Sequence, residues 1–113
     1  MSNTYLAVGN KIRFYRKLNE FTQEELGEIL DIDQSYLGRI ERGEINITLE
    51  TLIKIAGALH IDPSKLLEYS GKDSDDKKNE ILNKIEFSIS SLNTQELINF
   101  YSILEKIIEF KKS

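Results

Sequence analysis

Between Thr22 and Gly43 the chain reads TQEELGEILDIDQSYLGRIERG, two short amphipathic helix patterns with room between them for little more than a tight turn. The first opens on Thr22, whose hydroxyl suits an early helix amide. Glu25 stands three residues on to complete a capping box, and Phe21 is placed to staple against Leu26. Leu26, Ile29 and Leu30 fall on one apolar stripe, while Gln23, Glu24 and Glu28 face away. Asp33 is placed to cap a second helix running to about Arg42, with Ile32 stapling against Leu37, Leu37 and Ile40 turned inward, and Gly43 ending it. Each helix therefore shows a polar face that a core does not need.

The same period continues on both sides. Val8, Ile12 and Tyr15 mark a helix upstream, and Leu49, Leu52, Ile53, Ile55, Ala56 and Leu59 mark one behind a Thr48 cap. A fifth starts at Asp62, with Pro63 in the first turn and Leu66 and Leu67 pointing inward. Five helices thus fill residues 5 to 69. The stretch SGKDSDDKKN, residues 70 to 79, is polar and charged, which suits a boundary or a solvated helix start. Beyond it, Ile81, Leu82, Ile85, Ile89 and Leu92 form one stripe; Leu97, Ile98, Tyr101, Leu104, Ile107 and Ile108 form another behind a Thr94 cap. No strand pattern, solenoid repeat or low-complexity tract is present. The expected fold is all-α: a five-helix domain over residues 1–70, a polar linker over 71–79 and a two-helix hairpin over 80–113.

With 113 residues the chain suits one modest domain, or a small domain of about 65 residues with an appendage, and leaves little room for a large catalytic cleft. The absence of cysteine excludes disulfides and thiolate metal sites and fits a reducing cytoplasm. No apolar run approaches the roughly 18 residues of a membrane span, and the first residues do not read as a signal peptide. A soluble cytoplasmic protein without a membrane partner is expected. His60, the single histidine, lacks companions for a metal site and ends a helix, where a cation suits the dipole. Glu24 and Glu25 diverge on a helix, and Glu25 already has a capping role. No nucleophile, base and orienting group assemble, so neither an enzyme nor a cofactor is expected. Tyr5, Phe14, Phe87 and Phe110 suit core or interface better than base stacking.

The net charge of −4 argues against a generic nucleic-acid coat, so any DNA contact must come from local placement. Such placement exists. Opposite Leu37 and Ile40, the second short helix projects Gln34, Ser35, Arg39 and Arg42. Gln can bond the N6 and N7 edge of adenine and Arg the O6 and N7 edge of guanine, each good pair discriminating by roughly 1–3 kcal/mol. A solvated polar stripe is the bland alternative.

Residues 5 to 69 also resemble the helix-turn-helix domain of the Xre/Cro/CI family of bacterial and phage repressors. The likeness rests on IRFYR at 12–16, TQEELG at 22–27, QSYLGRIERG at 34–43 and LETLIKIAGALH at 49–60, in order and suitably spaced. It implies a lambda-repressor-like fold and a sequence-specific transcriptional regulator, a repressor binding double-stranded DNA. Gln23 matches a position that clamps a backbone phosphate, and Gln34 one that reads a base. Ser35, Tyr36 and Arg39 match neighbouring groove positions; Arg42, Asn46 and Arg13 match phosphate contacts. Arg16 and Glu41 match an ion pair tying the first helix to the recognition helix. The chain departs from the pattern at Asp31, where the family prefers glycine; at Gly38, where a small side chain is commoner; and at Ile47, where proline is common. Glu44 adds negative charge near the implied phosphates.

The two C-terminal stripes are hard to bury against one another alone. Helix-turn-helix modules commonly read two half-sites about 34 Å apart as symmetric dimers, so residues 80 to 111 are expected to pair with their copy through Ile81, Ile85, Ile89, Leu97, Tyr101, Leu104 and Ile108. The layout resembles that of SinR-type regulators. Two alternatives stay open: a hairpin folded back on its own first domain, and an antitoxin or adaptor whose tail binds an antirepressor or another protein.

Overall fold

The computed structural model describes residues 3–68 and 76–112, which form seven α-helices and no strand among the described residues. They are α1 (Asn3–Leu18), α2 (Gln23–Leu30), α3 (Gln34–Glu41), α4 (Leu49–Ala58), α5 (Ser64–Leu67), α6 (Asp76–Ile89) and α7 (Thr94–Lys112). The chain divides into two units, Met1–Lys72 and Asp73–Ser113. No helix among the described residues is long and apolar enough to cross a membrane.

In the first unit the helix starts obey local chemistry. Thr22 Oγ1 accepts from the Glu25 amide at 3.0 Å, and Glu25 Oε1 accepts from the Thr22 amide at 2.9 Å, so the capping box ahead of α2 is complete. Thr48 caps α4, accepting from the Thr51 amide at 3.1 Å. Asp33 occupies the N-cap of α3 in extended geometry but makes no side-chain capping bond, contrary to expectation.

Helices α1 to α4 all end in one device, a residue of positive φ whose amide and next amide return to the last helical turn. After α2, Asp31 (φ 58°) donates to Glu28 O at 3.2 Å and Ile32 to Gly27 O at 2.9 Å. Glu20, Gly43 and His60 play the part of Asp31 after α1, α3 and α4, with φ of 61°, 73° and 60°. Only one of the four is glycine; at Gly43 a side chain would also strike the backbone of Leu6. His60 is thus a turn residue at the end of α4. Asn19 ties two of these ends together, its Nδ2 donating to Tyr15 O at 2.9 Å and Leu59 O at 3.0 Å.

The core gathers Ile12 and Tyr15 from α1, Leu26 from α2, Leu37 and Ile40 from α3, Leu52, Ile55, Ala56 and the following Leu59 from α4, and Leu66 from α5. Several residues of the expected stripes are not in it. Ile29 and Ile53 are 55% and 50% exposed, because on helices this short the buried arc is narrower than the apolar stripe. Leu49 and Leu67 are exposed on the rim of an open apolar pocket of about 190 Å³ that Tyr5, Val8, Ile45 and Ile47 also line. Helix α5 begins at Ser64 rather than Asp62 and lasts one turn; Asp62 Oδ1 accepts from the Ser64 amide, which places Asp62 outside the helix. At Gly9, α1 crosses the end of α3 so closely that a Cβ would stand against the carbonyl oxygens of Ile40 and Glu41.

In the second unit α6 begins at Asp76, so the last four residues of the expected linker 71–79 belong to its first turn, with residues 77–79 exposed; residues 71–75 lie outside the described residues. The cap of α7 is Asn93 rather than Thr94. Asn93 Oδ1 accepts from the Glu96 amide at 2.9 Å, and Glu96 Oε1 accepts from the Asn93 amide at 3.0 Å. No side chain of residues 77–112 is buried.

Candidate nucleic-acid interface

The recognition candidate α3 is held from behind by a buried ion pair. Arg16 Nε donates to Glu41 Oε2 at 2.7 Å and Arg16 Nη2 to Glu41 Oε1 at 3.1 Å, with both residues buried. Arg16 Nη1 also donates to Phe21 O at 2.8 Å, and Gln23 Nε2 to Glu41 Oε1 at 3.0 Å. One carboxylate thus joins α1, the start of α2 and the end of α3. The pair does not need to be strongly stabilising to matter, since removing either partner strands a buried charge at a cost of about 3–5 kcal/mol.

In front of that pair, Gln23, Gln34, Ser35, Gly38, Arg39 and Arg42 line one shallow groove. Five of the eight residues expected to contact DNA therefore share a surface formed by α2, α3 and the residue after α3. Tyr36 and Asn46 are exposed but do not line it, and Arg13 is exposed on α1. Gln23 is half-buried and already bonded to Glu41, so its amide is oriented by the scaffold. Gly38 keeps the groove floor open: a Cβ there would lie 3.1 Å from Arg42 Nη1 and 3.4 Å from Gln23 Oε1.

The rim carries a feature that periodicity did not expose. Glu44 Oε2 accepts from Arg42 Nε at 2.6 Å, and Glu44 Oε1 lies 3.7 Å from Arg39 Nε. The hydrogen bond to Arg42 holds the Glu44 carboxyl below its ordinary range, and the reciprocal bond raises Arg42. The available signal was Gly43. A positive-φ residue there turns the chain back, and the Glu44 amide donates to Arg39 O at 2.9 Å, bringing these two side chains together.

A family profile described as "Helix-turn-helix" matches residues 12–66. Control protein C.SmaI of Serratia marcescens is 42% identical over 64 residues, spanning 57% of this chain and 76% of that protein. The HTH-type transcriptional regulator ImmR of Bacillus subtilis (strain 168) is 31% identical over 98 residues, spanning 84% of this chain and 75% of its own length. Among solved structures, the SinR protein/SinI protein complex matches in fold with a TM-score of 0.55, covering 90% of this chain and 98% of that one at 22% identity.

Proposed function

The chain belongs to the helix-turn-helix family, and from that premise we propose that it is a sequence-specific DNA-binding transcriptional regulator that represses by occupying an operator of inverted symmetry. The observation that carries this reading is the mounting of α3: its inner face is locked by Leu37, Ile40 and the Arg16–Glu41 pair, while Gln34, Ser35, Arg39 and Arg42 stay on one open groove. A helix of this kind enters a major groove with its first residues deepest. In this reading Gln34 and Arg39 meet base edges, with Ser35 and Tyr36 beside them, and Gln23, Arg42 and Asn46 hold phosphates.

The second unit supplies the pairing of two such domains. Its apolar residues Ile81, Ile85, Leu97, Tyr101, Leu104 and Ile108 are exposed and Ile89 half-buried, a surface that association with a second copy would cover. Sedimentation of the purified chain distinguishes the occupant: a dimer supports self-pairing, and a monomer that forms only a mixed complex with a different protein supports an antirepressor or antitoxin-type partner.

The DNA reading is tested by anisotropy titration against the promoter of the chain's own or an adjacent gene, with competitor DNA. Arg39→Ala is expected to lower the ratio of specific to non-specific affinity, by about 10- to 100-fold for a lost base contact. Gln23→Ala is expected to weaken binding to all sequences alike. Equal losses for both variants on every duplex would refute these roles.

A further inference from the structure

The rim of the α3 groove carries an anion, Glu44, bonded to Arg42. We propose that Glu44 competes for the nucleic-acid phosphate that Arg42 would hold, with the base-facing Arg39 lying beside the same carboxylate, so that this chain binds phosphate more weakly and with a shallower salt dependence than its arginines alone would give. The inference rests on the reading of this groove as a phosphate-facing surface, and it adds a residue that sets the strength of that contact.

Three features place the carboxylate there. The first is backbone: Gly43 at φ 73° and the Glu44 N–H to Arg39 O bond of 2.9 Å bring residue 44 back onto the last turn of α3. The second is how the two oxygens divide. Oε2 accepts from Arg42 Nε at 2.6 Å, the contact an oxygen of a phosphate held by Arg42 would make, while Oε1 lies 3.7 Å from Arg39 Nε. The third is access. The side chains of Arg42 and Glu44 are 59% and 41% exposed, so the pair sits in high dielectric and yields to a competing anion at little cost. A structural ion pair of the Arg16–Glu41 kind, closed off from water, could not be exchanged in this way.

The chemical consequence follows from charge. With Glu44 ionised, two guanidiniums and one carboxylate present half the positive charge that the arginines would present alone. An arriving phosphate must displace the carboxylate and then tolerate it nearby. Because the competition is for phosphate rather than for a base edge, it acts on all sequences, and it restrains non-specific binding, which depends on phosphate contacts almost entirely.

The test uses the full chain and Glu44→Gln, which keeps the shape of the side chain and the turn at Gly43; Glu44→Ala serves as a second variant, with matching circular dichroism establishing that each is folded. Two probes are read. The first is inorganic phosphate, titrated while the Nε–Hε resonances of Arg39 and Arg42 are followed by NMR. The second is a random-sequence duplex, titrated by anisotropy at several salt concentrations. Glu44→Gln is expected to bring the arginine resonances to half-response at about three- to fivefold lower phosphate, and to bind the random duplex tighter by a similar factor, with the log–log salt slope steeper by about one. Equal or weaker phosphate response in both variants overturns the proposal and makes Glu44 either inert or an aid that aims the arginines. A stronger phosphate response with no binding to any duplex leaves the competitor role standing and removes the DNA reading instead.

Discussion

The two units of this chain solve opposite problems. In the first, helices of 8, 8, 10 and 4 residues follow α1, lengths that are marginal in isolation, and they persist because each buries at least one side chain in a shared core. In the second, α6 and α7 run for 14 and 19 residues with continuous apolar stripes, yet no residue of 77–112 is buried and Phe110 is 84% exposed. Helix length and tertiary closure are thus decoupled. The short helices are held by what they touch; the long ones leave their apolar faces exposed.

That contrast can be broken or sharpened experimentally. The largest effect is expected from Glu41→Ala, which strands the buried Arg16 guanidinium and should lower the unfolding free energy of the first unit by about 3–5 kcal/mol in chemical denaturation. A loss no greater than that of an exposed pair would mean that Arg16 finds water, and that α3 is not fixed by this contact.

Next comes a matched pair of truncations. Leu37→Ala removes a fully buried side chain and should cost about 2–5 kcal/mol, whereas Ile85→Ala, on an exposed face, should leave the stability of the first unit unchanged and weaken self-association measured by sedimentation. Equal costs in the first unit would erase the distinction between closed core and open hairpin.

The smallest effect concerns the turn between α2 and α3. Asp31 holds φ 58° there, so Asp31→Gly should relieve backbone strain, offset in part by the greater freedom of glycine in the unfolded chain, for a net gain of up to about 1 kcal/mol in thermal or chemical unfolding. A loss of stability would show that the Asp31 side chain contributes more to this turn than its backbone costs.

Much of the fold was legible because much of it is local. The Thr22–Glu25 capping box, the Thr48 cap and the terminator at Gly43 are each written within a few residues, and they appear as read. Where two neighbours offered the same chemistry, as Asn93 and Thr94 do, sequence position alone could not choose; the bond to Glu96 did. The candidate site divides in the same way. That Gln34, Ser35, Arg39 and Arg42 share a face follows from helical period, and they do line one groove. The Arg16–Glu41 pair, 25 residues apart, was suggested only by family likeness, and the bonding of Gln23 to that pair and of Glu44 to Arg42 was not suggested at all.

By itself, then, the order of residues determined the helical period, most helix ends and the set of polar groups turned away from the core, since these depend on contacts within one or two turns. Tertiary structure decided which part of each apolar stripe is covered, why Gly9 has no side chain, and which charges meet across helices. Those outcomes depend on distances between segments far apart in the chain, where packing against a neighbour's backbone, rather than local propensity, selects the arrangement.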